Sequence, residues 1–185
     1  MITDKDRLVE FYSSFVRLEK KLFGGDFEYD NENITQWFDS KYSLICIKRG
    51  SESRPIQAYG SLIVISRSCY EKLVQGIITE EELQPISVPS NSDVAYFASI
   101  YSCVPHGAQE IVNTMKAQLA NLVQEEGLEI EIIFSIASTS RGLKFIENQG
   151  WSKTAYYLEK YPILQYPLHS WLSEKVLPNR LETSF

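Results

Sequence analysis

Apolar residues recur at a helical interval at the start of the chain. Leu8, Phe11, Phe15, Leu18 and Leu22 fall on one stripe, which predicts a helix. Thr3 is its candidate cap, with Asp6 three residues on, and Gly24-Gly25 its stop. An acidic, aromatic loop follows, Asp26-Phe27-Glu28-Tyr29-Asp30, and then a short helix with Ile34, Trp37 and Phe38. The period then shortens. Tyr42 to Lys48 and Ile56 to Ser66 read as strands joined by a turn over Arg49 to Pro55, an antiparallel hairpin. The unbroken run Leu62-Ile63-Val64-Ile65 predicts a strand covered on both faces. Residues 68–84 read as two helical pieces broken near Gly76, and Thr79 with Glu82 forms a capping-box signature for the second. Residues 85–93 are a loop.

The second half alternates tightly. Val94 to Val104 is a predicted strand, and Gly107 to Glu126 a helix with Ile111, Met115, Leu119 and Leu122 on one face, closed by Gly127. Glu129 to Ala137 is a strand, Ser140 to Gln149 a helix closed by Gly150, and Trp151 to Glu159 another strand. The tail from Tyr161 holds Pro162, Pro167 and Pro178, and predicts an edge strand and a short helix around Leu168, Trp171 and Leu172. A strand, a long helix and a second strand make a βαβ unit with parallel strands and a right-handed crossover. The predicted class is therefore α/β in the α+β sense. Its sheet is mixed and mostly antiparallel, with one central parallel βαβ crossover and helices on both faces.

Composition narrows the function. A chain of 185 residues is read as a single domain over 1–185. Hydrophobic residues at 44% and charged residues at 23% exclude a disordered chain. A net charge of −6 argues against nucleic acid as a partner, because phosphate neutralisation needs a basic face. No stretch approaches a membrane span, and the charged N-terminus lacks the apolar core of a signal peptide. Cys46, Cys69 and Cys103 form no CxxC pair and suit a reducing, cytoplasmic home. With only two histidines, a metal site is not expected.

The segment Thr139-Ser140-Arg141-Gly142-Leu143-Lys144-Phe145-Ile146-Glu147-Asn148-Gln149-Gly150-Trp151, after the strand Ile130-Glu131-Ile132-Ile133-Phe134-Ser135-Ile136, resembles the GCN5-related N-acetyltransferase superfamily. Gly142, Phe145, Gly150 and Trp151 carry the match, which spans roughly residues 94–157 by motif and the rest by element order. The resemblance implies two neighbouring parallel strands that splay at their ends and bond the amide arm of acetyl-CoA or another acyl-CoA through free main-chain groups. It implies a phosphate turn at Pro105-His106-Gly107-Ala108-Gln109, at the start of the long helix. It also implies transfer of the acyl group to a small-molecule amine. The family's glycine pair is absent from that turn, Glu110 stands in the first helical turn, and Ile146 occupies the place where a tyrosine often donates a proton.

On this reading Tyr101, Cys103, Gly107, Ala108, Gln109 and Thr139 are the donor-binding candidates, with Tyr101 a replacement acid. Tyr101 shares a strand period with Phe97, Ser99 and Cys103, so a core aromatic stripe is its alternative. Glu28, with Asp26 and Asp30, is the candidate that takes the amine's proton; its alternative is a solvated loop. His106 is an exposed turn histidine or, if protonated, a help to an anion. Of Tyr156 and Tyr157, neighbours on a strand, one faces each side. The leading function is an acyl-CoA-dependent N-acyltransferase. The alternatives are a degenerate domain that binds a small molecule or protein, or an acyltransferase fed by an acyl-carrier protein. The aromatic tail leaves room for a homodimer.

Overall fold

The structure is a computed structural model that describes residues 1, 11–23 and 36–174. The expected cap at Thr3, the Gly24-Gly25 stop and the acidic loop with Asp26, Glu28 and Asp30 lie outside the described residues. In chain order the elements are α1 (Tyr12–Phe23), a helical turn over 36–39, β1 (Ser43–Ser51), β2 (Arg54–Ile65), α2 (Arg67–Val74), a 3₁₀ turn (Glu80–Glu82) and β3 (Asp93–Ser102). Then come α3 (Gly107–Glu126), β4 (Ile130–Ile136), α4 (Ser140–Asn148), β5 (Ser152–Tyr157), β6 (Tyr161–Pro167) and α5 (Leu168–Ser173).

Among the described residues, six strands form one sheet in the order β1-β2-β3-β4-β6-β5. Every neighbouring pair is antiparallel except β3 with β4, which are parallel and joined by α3. This is the predicted mixed α/β sheet with one central crossover.

Alternation of side chains sorts the core into two layers. Ala58, Leu62 and Val64 of β2 point to the face covered by α3, where Ile111, Met115 and Leu119 meet them, and α4 and α5 add Phe145, Ile146, Leu168 and Trp171. Ile63 and Ile65 point to the opposite face, where Trp37 and α2's Tyr70 and Leu73 pack. Farther along that face, Phe15 of α1 packs with Phe38, Ile45, Ile47 and Tyr59. The run Leu62 to Ile65 is thus covered on both faces, with each residue fully buried. Gly60 lets α3 approach: a Cβ there would stand 2.6 Å from Ile111 Cγ2 and 2.8 Å from Met115 Sδ.

Three details depart from the sequence expectation. The β1–β2 hairpin runs almost to its tip, with Ser51 opposite Arg54, so Arg49 to Pro55 are mostly strand. The tail strand is interior, not an edge. β6 inserts between β4 and β5, and Ile163 and Leu164 are fully buried. Its prolines stand near its ends, where a missing donor is tolerated. β5, exposed along most of its length, takes the edge. Finally, only the first part of residues 68–84 is α-helical. The second is the 3₁₀ turn Glu80–Glu82, held by a capping box in which the Thr79 N–H donates to Glu82 Oε2 at 2.7 Å.

Candidate active site

The site begins where β3 and β4 part. Their parallel register runs through Asp93–Ile130 and Ala95–Ile133 and ends at Tyr96–Phe134. β3 continues to Ser102 while pairing only with β2, and β4 continues to Ile136 while pairing with β6. Two strands that begin as neighbours therefore follow different partners, and a gap opens between their C-terminal ends. A bulge accompanies the parting. β3 spends an extra residue, Ala98, where Ser61 pairs with Ser99 but Leu62 pairs with Phe97. A bulge bends its strand and increases the local twist, and this one lies just past the last β3–β4 pair.

The bulge also corrects a predicted face. Without it, Tyr101 would share a side with Phe97. With it, Phe97 packs on the α3 face and Tyr101 on the α1 face. Tyr101 stacks on Tyr59, its cross-strand partner, with ring centroids 5.7 Å apart. Burial and the neighbouring Cys103 raise its hydroxyl above the ordinary tyrosine range, opposed by the positive charge of Arg54. Tyr101 is therefore a protonated phenol at neutral pH, on the splayed part of the strand. Next to it on this face, the hydroxyls of Ser61 and Ser99 bond each other at 2.6 Å, and both residues are buried.

Beyond Ser102 the chain turns tightly into α3. The Cys103 N–H donates to Gln57 O at 2.9 Å, and its thiol reaches the same carbonyl at 3.2 Å. Ser102 Oγ donates to Val104 O at 2.8 Å, and the Gly107 N–H donates to Val104 O at 3.2 Å. His106 caps the helix from a left-handed conformation, φ 58°. Gly107 is buried against its own turn, where a Cβ would lie 2.3 Å from Ser102 Oγ. Of the four amides a helix start leaves over, that of Gly107 serves Val104 O, and the helix's own ladder begins with the Glu110 N–H donating to His106 O. Ala108 and Gln109, both half-buried, complete the first turn. Glu110 does not stand alone: Lys48 Nζ, from β1, lies 2.6 Å from Glu110 Oε2.

Across the gap, β4 leads into Thr139, the exposed cap of α4, whose Oγ1 accepts the Gly142 N–H at 3.0 Å. The structure brings Tyr101, Cys103, Gly107, Ala108 and Gln109 to the β3 side of the gap, and Thr139 follows β4. Ile146 is buried in the α3-face core. Tyr157 is the inward member of its pair: it is buried, and its hydroxyl accepts the Glu80 N–H at 2.9 Å, whereas Tyr156 is 53% exposed. His169 is exposed on α5.

The sequence reading missed two arrangements. Glu80 is buried, and the Tyr96 hydroxyl donates to its carboxylate. The capping-box signature fixes the turn around Glu80 but gives no sign that a carboxylate inside it faces inward. The Lys48–Glu110 pair joins residues 62 positions apart, and no local pattern carries it. Among the described residues, no group of three histidine, cysteine, aspartate or glutamate side chains could hold a metal ion, and no helix is long and apolar enough to cross a membrane.

No protein-family model matches the chain, and no curated protein matches it in sequence. Solved structures do. Arabidopsis thaliana NAA60 in complex with acetyl-CoA aligns over 86% of this chain and 94% of its own, with a TM-score of 0.58 at 7% identity. An aminoglycoside acetyltransferase from an uncultured soil metagenomic sample, meta-AAC0020, in complex with trehalose, aligns over 78% of this chain and 81% of its own, with a TM-score of 0.46 at 13% identity. AtaTR bound with AcCoA aligns over 79% of this chain and 87% of its own, with a TM-score of 0.47 at 12% identity. The NAA60 likeness joins the independent evidence of element order, central crossover and parted parallel strands. The chain has the fold of the GCN5-related N-acetyltransferases.

Proposed function

We propose that this protein is an acyl-CoA-dependent N-acyltransferase acting on a small-molecule amine in the cytoplasm. The observation that carries the reading is the parting of β3 and β4 beyond Tyr96 and Phe134. An extended acyl-CoA arm carries amides that need main-chain partners, and a strand edge that has left its neighbour supplies them. The end of β3 left unpaired on its β4 side supports this part of the reading. The turn opening α3 supports a pyrophosphate cradle less, since the glycine pair is missing and the Gly107 amide is already engaged.

On this reading the side chains divide the work. Tyr101, Cys103, Gly107, Ala108, Gln109 and Thr139 surround the donor. The acceptor arrives on the α1 face, and Glu28 takes the proton from its ammonium group. The amine nitrogen bonds the thioester carbonyl carbon, the carbon–sulfur bond breaks, and the nitrogen's second proton leaves through water to restore the Tyr101 phenol once it has protonated the thiolate. Tyr101 gives its proton to the departing thiolate, a step suited to a phenol kept protonated by burial. Main-chain N–H groups of the parted strand stabilise the charge that grows on the carbonyl oxygen.

Titration calorimetry with acetyl-CoA tests the donor, and thiol release with a panel of amines tests the reaction. Binding and amine-dependent release are expected, and Tyr101→Phe should lower kcat by about 100-fold with little change in donor affinity. No heat and no thermal shift at millimolar donor would refute the reading. One observation favours a domain that binds without catalysing: buried Ile146 stands where related enzymes carry a proton donor. That alternative predicts binding without thiol release for every amine. Donor activity with an acyl-carrier protein alone would move the assignment to a different carrier.

A further inference from the structure

The β1–β2 hairpin overhangs the turn that opens α3. β3's last paired residue, Ser102, stands opposite Ala58, and Ala58 stands opposite Lys48. Everything from Arg49 to Gln57 therefore projects past the end of β3, and the Cys103 N–H fastens it through Gln57 O at 2.9 Å. In a chain of net charge −6, the stretch from Lys48 to Arg54 carries three cations, Lys48, Arg49 and Arg54, against one carboxylate, Glu52. Arg49 and Arg54 are exposed and Lys48 is half-buried. The cations stand on opposite faces of the hairpin: Lys48 shares the face of Ala58, toward α3, whereas Arg49 and Arg54 lie on the face of Ile56 and Tyr101. Lys48 reaches α3's first turn at Glu110, and Arg54 lies close enough to Tyr101 for its charge to act on that hydroxyl.

We propose that Lys48 binds the phosphates of the acyl donor, and that Glu110 is a resident counter-ion which those phosphates displace. The inference rests on the proposed donor and names the part of it that this hairpin recognises. It accounts for two oddities together: a phosphate turn without its glycines, and a carboxylate placed where it should repel an anion. The magnitudes permit the exchange. The Lys48 and Glu110 side chains are 28% and 48% exposed, and an ion pair so open to water is worth about 0–1 kcal/mol. The several negative charges of the donor's phosphates attract the same ammonium more strongly than one carboxylate does, since Coulomb energy scales with the product of the charges.

The test is calorimetric and needs no turnover. Acetyl-CoA and S-acetylpantetheine, which shares the thioester arm but lacks every phosphate, are titrated into the wild type, Lys48→Gln and Glu110→Gln. Thermal melts confirm that each variant folds, and Lys48→Arg serves as the charge-preserving control. Lys48→Gln should weaken acetyl-CoA about tenfold, the loss of one charge-assisted contact, leave S-acetylpantetheine unchanged, and flatten the salt dependence of binding. Glu110→Gln should tighten acetyl-CoA severalfold, and Lys48→Arg should retain most of the affinity. Equal affinity of wild type and Lys48→Gln for acetyl-CoA, or wild-type binding of both ligands with no preference, overturns this inference and leaves the acyl donor standing. Wild-type binding of neither ligand overturns the proposed function, and this inference with it.

Discussion

Replacing Gly107 with alanine asks whether this glycine serves the fold or a ligand. Its backbone lies outside the left-handed region, so only space excludes a side chain. The added Cβ would meet Ser102 Oγ at 2.3 Å, Val104 Cγ2 at 2.9 Å and Ala58 Cβ at 3.2 Å. Ser102 cannot swing aside freely, since its hydroxyl donates to Val104 O at 2.8 Å and accepts the Val104 N–H at 3.2 Å. Overpacking of this kind costs about 1–3 kcal/mol. At about 2–4 °C per kcal/mol for a chain of this size, the melting temperature should fall by about 2–12 °C with no ligand present. Ser102→Ala removes the closest atom, so alanine at 107 should cost less in that background, a coupling of about 1 kcal/mol in a double-mutant cycle. Differential scanning fluorimetry on the four proteins reads this out. An unchanged melting temperature for Gly107→Ala would refute the structural role, as would strict additivity with Ser102→Ala.

Three further outcomes are expected. Leu158 and Glu159, at the β5–β6 turn, both have positive φ, at 50° and 55°, without being glycine. Glu159→Gly removes a strain of about 1 kcal/mol and should raise the melting temperature by a few degrees; a fall would show that the Glu159 side chain earns its place. Burial pushes the Cys46 thiol up to about 12, so iodoacetamide at pH 8 should label Cys69 and Cys103 in the native protein, and Cys46 only after unfolding; mass spectrometry distinguishes the three. Burial holds the Lys116 ammonium below its ordinary value of 10.5, against the pull of Glu174. Because the unfolded chain binds the proton more tightly, stability should rise with pH just below 10.5, and urea titrations should find that slope reduced in Lys116→Met.

What the sequence shows of this fold depends on how local the cause is. The helix Gly107–Glu126 and its stop at Gly127 are visible because the apolar stripe and the terminating glycine lie within one segment. The buried strand Leu62 to Ile65 is visible for the same reason. The order of the last two strands is not, since Trp151 to Tyr166 form a hairpin whichever member docks on β4. The face of Tyr101 is not legible because one inserted residue, Ala98, shifts the alternation, and small residues such as Ala98 and Ser99 fit either side. The neighbourhood of Tyr101, Cys103 and the α3 turn at the end of β3 is readable from element order, while the pairing of Lys48 with Glu110 is not, because only the closed hairpin brings them together.

The buried bond from the Glu80 N–H to the Tyr157 hydroxyl gives the molecule an unexpected kinetic marker. A main-chain amide in a short connecting turn ordinarily trades its hydrogen for solvent deuterium within seconds to minutes. This one is sealed under the sheet by a phenol from the edge strand, and the carboxylate of the same residue is held by Tyr96. Its exchange should therefore follow the release of β5 rather than the fraying of its own turn. A single slow peptide over residues 79–83 would report when the edge of the sheet lets go.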